Sequence, residues 1–385
     1  MIKRKIIIVG GDCYNTLGII RTLGEKNYKF EVIFIKGDFI IASKSKYLKD
    51  KKVTIVNSVE EVYYKLIGLK RKINEKKAFL IVEGDNLTGY LDRHYDSLKD
   101  KFIWNNAGVQ GKLTKYLNKK TQVDIAQKYG INIIPSVIVK NGTIPKNIEY
   151  PVMTKAVSSI IDNWKSEVFI CNSVEELEAA FLKIKSPTVM LQKFIKKTNE
   201  LCLDGYSIDR GRKQFITIAS KYNYLIDSGF SYYGTIYNFN DQQLQKKITD
   251  IMMDIGYEGI YSFEFLEDQL GKLYFLEINF RNSGWSYAST CAGMPLPILW
   301  IKSMINNNID ETKKKQIKNN FTFIDDFNDF RIRVLGGKIS LIKWFKEYKE
   351  CDCKLILGRN DMLPLLVYIF SRGKNKLNKI QGEKK

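Results

Sequence analysis

The sequence predicts an α/β chain that begins with a parallel sheet and continues into an α+β half rich in antiparallel pairs. Short apolar runs, "KIIIVGG", "EVIFIK", "VTIVNS" and "AFLIVEGD", recur through the first hundred or so residues with helical stretches between them. That alternation is the pattern of an open parallel sheet with a cleft at the strand C-termini. Further on, strands come in neighbouring pairs around polar turns, as in "TVMLQKFIKKTNELCLDGYSI" and "YSFEFLEDQLGKLYFLEINF", which is hairpin patterning. With 385 residues, 44% of them hydrophobic, the chain exceeds one ordinary core, and two or three domains are expected.

Taken in order, "KIIIVGG" is a buried first strand, and "NTLGIIRTLGEKN" an amphipathic helix closing near Asn27. The Gly10-Gly11 pair does not continue as G-x-G-x-x-G and reads as a tight turn into that helix. Ser58 is placed to cap the helix "VEEVYYKLIGLKRKINE". A helix is expected from Lys119 to Tyr129, closed by Gly130, with a strand after Pro135. "YPVMTKAVSS" is a strand ending on Lys155, and Ser173 caps the helix "VEELEAAFLKI". "KQFITIASKYNYLI" is a further strand region, and "GMPLPILWIKSMI" a helix entered through prolines. Past Asn320 the chain starts acidic, "FIDDFNDFR", and ends basic around "DMLPLLVYIFSRGK". That apolar stretch falls short of the ~20 residues that span a bilayer; it suits a core helix or a membrane-surface contact.

Composition narrows the chemistry. The six cysteines, Cys13, Cys171, Cys202, Cys291, Cys351 and Cys353, form no C-x-x-C, and His94 is the only histidine. Zinc binding, a disulfide framework and histidine catalysis are therefore not expected, and a reducing cytoplasm is the expected compartment. The N-terminus lacks the long apolar region of a signal peptide. The formal charge of +20 comes without a nucleic-acid recognition signature, so no nucleic-acid partner is expected.

One stretch carries unusual polar residues. In "FLEINFR", alternation puts Leu276, Ile278 and Phe280 on one face and Glu277, Asn279 and Arg281 on the other. A turn centred between Leu270 and Gly271 sets Glu264 opposite Glu277, Ser262 opposite Asn279, and Phe263 and Phe265 against Ile278 and Leu276. Two facing carboxylates repel, and no lysine lies on that face of the hairpin. A hard divalent cation such as Mg2+ would neutralise them, with Asn279 as a third oxygen and Arg281 suited to phosphate. The plainer alternative is a hairpin with a solvated acidic face.

These pieces follow one another in a set order: Lys119, Lys155, "LQKFI" over Leu191 to Ile195, Glu200, Glu264, then "EIN" over Glu277 to Asn279. The ordered set resembles the ATP-grasp superfamily over roughly Asn105 to Ile305, and the preceding hundred or so residues look like its usual N-terminal partner domain. The resemblance implies domains at 1–104, 105–185, 186–310 and 311–385, the last an extension with a basic tail. It implies that Lys119 and Lys155 contact ATP phosphates, and that Gln192, Lys193, Phe194 and Ile195 form the adenine linker, with Lys193 where the family often has glutamate. Glu200 would bind the ribose. Ser158 and Ser159 would reach the phosphates from a loop that is glycine-free here, with Trp164 as its anchor. Glu264, Glu277 and Asn279 would hold Mg2+, two ions by family habit, with Mn2+ able to substitute. Arg281 would sit beside the transferred phosphate, and "NSGWSYASTCAGMPLP" would line the acceptor pocket.

In function the resemblance implies an enzyme, a carboxylate–amine ligase working through an acyl phosphate. Its organisation looks most like D-aspartate ligases and ligases that modify surface polysaccharide, which join an amino acid or amine to a peptidoglycan or capsular precursor. The cysteine usage leaves the cytoplasm as the expected compartment, the basic C-terminus leaves peripheral membrane contact open, and a homodimer is the common default. A cytosolic dipeptide or amino-acid ligase and a non-catalytic ATP-binding regulatory module are the alternatives.

Overall fold

The computed structural model describes residues 4–37, 40–70, 75–157, 167–226, 231–358 and 360–369. The first sheet is β1 (Ile6–Gly11), β2 (Glu31–Ile35), β3 (Val53–Val56), β4 (Ala78–Val82) and β5 (Phe102–Ile103). It is parallel throughout, in the order β3-β2-β1-β4-β5. Strand order reverses between β1 and β4, so the crevice lies beyond their C-terminal ends. Gly10, the next-to-last residue of β1, lies where a Cβ would come within 2.7 Å of Glu83 Cβ, so close packing requires glycine there; a Cβ at Gly11 would meet nothing.

The helix Tyr14–Gly24 is buried at every residue from Thr16 to Gly24. It is not the amphipathic helix expected, because it packs on the sheet with one side and on the helices Ser286–Cys291 and Leu296–Asn306 with the other. Asn27 closes the segment at φ 56°. Ser58 caps its helix by accepting from Glu61 N–H, but that helix ends at Ile67 because Gly68 forms its C-cap; glycine is a poor helix former. A helix not expected from sequence, Asp85–Arg93, follows β4 directly.

The second sheet holds β6 (Ser136–Lys140), β7 (Val152–Ala156), β8 (Ile170–Cys171) and β9 (Thr188–Lys193), antiparallel in the order β6-β9-β7-β8. Its apolar face packs on the helix Val174–Phe181, whose first turn Ser173 caps.

The third sheet is the largest: β10 (Asn199–Ile208), β11 (Lys213–Tyr222), β12 (Tyr233–Tyr237), β13 (Gly259–Glu267), β14 (Leu273–Asn279), β15 (Phe321–Ile324) and β16 (Cys353–Lys354), in the order β14-β13-β10-β11-β12-β15-β16. Alternation along β10 and β13 divides two cores. Leu201, Leu203, Phe263 and Phe265 face the helix Gln242–Ile255. Cys202, Tyr206 and Ile260 face the helix Leu296–Asn306 and the first sheet. The polar residues of the site share this second face.

The C-terminal segment is built into the molecule. β15 and β16 extend the third sheet, and the acidic stretch that precedes the basic end is buried. Asp326 accepts from the N–H groups of Ile356 and Leu357, and Asp329 from the Trp344 indole. Asp361 reaches across to the helix Tyr14–Gly24. Arg21, fully buried, donates to its carboxylate at 2.9 Å and to the carbonyls of Leu355, Ile356 and Asp361. The same carboxylate accepts from Ser45 Oγ and Lys46 N–H.

Candidate active site

The hairpin β13–β14 forms with the expected register at its functional end. Glu264 pairs with Glu277, Ser262 with Asn279 and Phe263 with Ile278. Beyond Glu264 a bulge intervenes, and Phe265 pairs with Phe275 rather than Leu276. Phe275, not Leu276, therefore joins Ile278 and Phe280 in the core, since the extra residue of a bulge reverses the alternation. The turn is held by Asp268, whose carboxylate accepts from Leu270 and Lys272 N–H, with Gly271 at φ 74°.

The facing carboxylates are bridged. Asn279 Nδ2 donates to Glu264 Oε1 at 2.9 Å and to Glu277 Oε1 at 3.2 Å. Burial, then Glu277 and Glu200, push the Glu264 carboxyl well above its ordinary range. A site that raises an acid's pKa by confinement and like charge favours a cation in the proton's place. Two carboxylates and an amide oxygen would be a hard-oxygen donor set for Mg2+, which requires the Asn279 amide to turn, because here its nitrogen faces the carboxylates and its Oδ1 accepts from Arg281. Among the described residues no three His, Cys, Asp or Glu form a metal cluster; the third polar side chain beside this pair is the Asn279 amide.

A lysine does reach this face, from another element. The helix Lys119–Lys128 is capped by Asn118, which accepts from Lys120 and Thr121 N–H. Gln122 clips this helix to β14: its amide accepts from Ile278 N–H and donates to Ile278 O, both at 2.9 Å. This brings Lys119 Nζ within 4.0 Å of Glu277 Oε2. Lys119 N–H donates to Val157 O at 3.1 Å, which ties the helix to the end of β7 and Lys155. Burial, then the neighbouring Lys119, depress Lys155 to about 8. Two ammonium groups converging beside two carboxylates suit a bound anion accompanied by a cation.

Gln192, Lys193, Phe194 and Ile195 lie at the exit of β9. Gln192 is buried. Lys193 points outward to Glu149 at 2.8 Å, so its side chain does not face the site. The N–H groups of Lys193 and Phe194 bond to Pro135 and Pro151 carbonyls, both at 2.9 Å, fixing the linker between β6 and β7. Glu200 is the second residue of β10 and pairs with Lys197 at 2.8 Å. Ser158, Ser159 and Trp164 lie outside the described residues.

Arg281, just past β14, meets the residues that follow β4 of the first sheet. Its Nε donates to Asp85 Oδ1 at 2.8 Å and its Nη2 to Asn279 Oδ1 at 3.1 Å, while Nη1 lies 3.9 Å from Glu83 Oε1. Burial opposes its charge, and Asp85 and Glu83 more than offset this, so the guanidinium stays firmly protonated. Glu83, buried and partly compensated by Arg281 and Asn15, is pushed up to about 7. Asn282, Ser283 and Ser286 are buried just beyond. Asp204 on the same face is likewise raised to about 7 by burial, against the opposing effect of Ser283 and Ser262.

No family model and no curated protein sequence matches the chain; its likenesses are to solved structures. It is similar to N5-carboxyaminoimidazole ribonucleotide synthetase in complex with ADP, with TM-score 0.62 and 15% identity over 82% of this chain and 80% of that one. It is similar to an L-amino acid ligase from Bacillus licheniformis, with TM-score 0.61 and 12% identity over 82% and 78%. It is similar to biotin carboxylase from Campylobacter jejuni, with TM-score 0.60 and 16% identity over 81% and 73%. This is the ATP-grasp fold.

Within the ATP-grasp fold, Lys119, Lys155, Glu200, Glu264, Glu277, Asn279 and Arg281 are drawn to one region of the second and third sheets. Sequence reasoning missed Gln122, Glu83, Asp85 and Lys197. Glu83 and Asp85 had a signal, since "VEGD" ends β4 at the crevice. Gln122 had none, because its role depends on a contact with a strand 156 residues away.

Proposed function

We propose that the chain is an ATP-dependent carboxylate–amine ligase. In the reaction, the γ-phosphoryl group of ATP passes to a substrate carboxylate, and an amine then displaces phosphate to leave an amide, ADP and phosphate. The single observation that carries this reading is the facing pair Glu264–Glu277 with Asn279, met by Lys119 and Lys155 from other elements. Glu264, Glu277 and Asn279 would hold Mg2+, which supplies charge neutralisation on the phosphates. Lys119 and Lys155 act as compact positive charges on the phosphates, and the exit of β9 from Gln192 to Ile195 holds the adenine by its backbone and apolar walls. Glu200 accepts from the ribose hydroxyls. Arg281 neutralises the forming acyl phosphate, and Asp85 keeps it oriented and charged until the substrate arrives. Chemistry of this kind rests on positioning and electrostatics, which suits a site with no histidine nearby.

For the substrates, we read a cell-envelope precursor as one partner and an amino acid or amine as the other; the basic surface of a chain with charge +20 supports an anionic, lipid-linked acceptor. Likeness to a structure described as an L-amino acid ligase favours the second reading, a small-molecule amino-acid ligase. Hydroxylamine as a surrogate amine, with Mg-ATP and a panel of D- and L-amino acids, uronic acids and muramyl-peptide fragments, tests both. Hydroxamate formed together with ADP names the acid; AMP and diphosphate as products would refute acyl-phosphate chemistry.

A further inference from the structure

The helix Leu341–Glu350 has an apolar row turned away from the protein. Its inner face is fixed. Trp344 is buried, meets Phe330 edge-on with ring centroids 5.0 Å apart, stacks on Tyr348 at 4.7 Å, and donates its indole N–H to Asp329 at 2.8 Å. With that face anchored, Leu341, Ile342 and Phe345 project outward at 57%, 84% and 60% exposure. Lys343, Lys346 and Lys349 are exposed on the same helix. A second exposed row, Leu363, Leu366 and Ile369, lies on the helical stretch that precedes the chain end. Spacing of three residues keeps such side chains on one stripe. Both helices rest on the same short segment, through the Phe330–Trp344 and Phe327–Tyr368 ring contacts.

We infer that this C-terminal face docks on an anionic phospholipid surface, with Leu341, Ile342 and Phe345 entering the headgroup boundary and the lysines meeting lipid phosphates. Large aliphatic and aromatic side chains exposed in a row mark an interaction surface, and lysines beside an apolar row are the pattern of helices that lie in a membrane interface. Charge selects the occupant. The sequence that follows carries Arg372, Lys374, Lys376, Lys379, Lys384 and Lys385 against the single acid Glu383, a cluster that favours an anionic leaflet. A nucleic-acid partner would use the lysines but leave Ile342 and Phe345 without a role. The inference stands apart from the ligase reading, since none of these residues belongs to the site.

The full-length chain is sedimented with vesicles of phosphatidylcholine alone and of equimolar phosphatidylcholine and phosphatidylglycerol. Binding to the anionic vesicles alone is expected. Ile342→Asp with Phe345→Asp should weaken it by about tenfold or more, and replacing Lys343, Lys346 and Lys349 by serine should weaken it and flatten its salt dependence. Leu182→Asp, at a 91% exposed leucine elsewhere, should bind as the parent does. Retained circular dichroism and nucleotide binding in the variants keep the reading independent of folding and of the ligase site. Equal binding by the Ile342/Phe345 variant and the parent would overturn the inference. So would absence of vesicle binding with a dimer that this variant dissolves, which would assign the face to a second copy.

Discussion

Glu264 and Glu277 repel each other across one rung of a hairpin, and the residues around them show how that pairing persists. Asn279 bridges the two carboxylates and Lys119 approaches Glu277. Replacing Glu277 by glutamine removes a charge needed only when nucleotide and metal bind. Turnover is expected to fall by about a hundredfold or more, with the melting temperature kept or raised because the repulsion is relieved. Full activity in Glu277→Gln would remove the metal assignment. Lys155 gives a pH signature. Depressed to about 8 in the free protein, it must be protonated to hold phosphate. Below that value it is charged before and after binding; above it, binding must take up a proton. ADP affinity should therefore be flat up to about pH 8 and then weaken by up to about tenfold per unit. Lys155→Met should lack this limb, and a profile shared by both proteins would count against the assignment. The facing carboxylates were legible in the sequence because alternation acts locally; Lys119 and Lys155 were marked out by the resemblance alone, since residue type does not distinguish a lysine in a chain with 62 lysines and arginines.

The elements were largely legible for the same reason. The caps at Ser58 and Ser173 and the αL residue Gly130 after the helix Lys119–Lys128 follow from short-range chemistry. The bulge beyond Glu264 did not, and it exchanged Leu276 for Phe275 in the core. Nor did the burial of the helix Tyr14–Gly24 on both sides, which depends on helices that follow Trp285 in the chain. The clip between Gln122 and Ile278 belongs to this scale. Gln122→Leu leaves a buried N–H and C=O on β14 unpaired and should cost about 2–3 kcal/mol. It should also raise the KM for ATP, because Lys119 is carried on that helix. Chemical denaturation and steady-state kinetics check the two effects separately; an unchanged KM would mean that Lys119 is positioned by other contacts.

At the scale of the molecule, two ion pairs join what sequence reading treats as separate parts. Arg281, just past β14 of the third sheet, meets Asp85 beyond β4, so the segment that leaves the first sheet there lies beside these residues. Arg21 of the helix Tyr14–Gly24 meets Asp361, so the C-terminal segment, read from sequence as an extension, closes on that helix. Neither was legible, because each pairs residues that no local pattern relates. Breaking a fully buried pair strands a charge: Arg21→Met should cost about 3–5 kcal/mol, and Arg21→Met with Asp361→Leu should recover part of that. If the double variant is no more stable than the single, Asp361 holds the segment through Ser45 and Lys46 rather than through Arg21.

The central claim is that Lys119, Lys155 and the Glu264–Glu277–Asn279 set form one Mg-nucleotide site. Calorimetric titration of ADP, with Mg2+ and with EDTA, tests it most directly when applied to the parent, Lys155→Met and Glu264→Gln. The account predicts tight binding that needs Mg2+ in the parent, loss of affinity in Lys155→Met, and loss of the Mg2+ dependence in Glu264→Gln. Equal ADP affinity in all three proteins, or no binding by the folded parent, would contradict it.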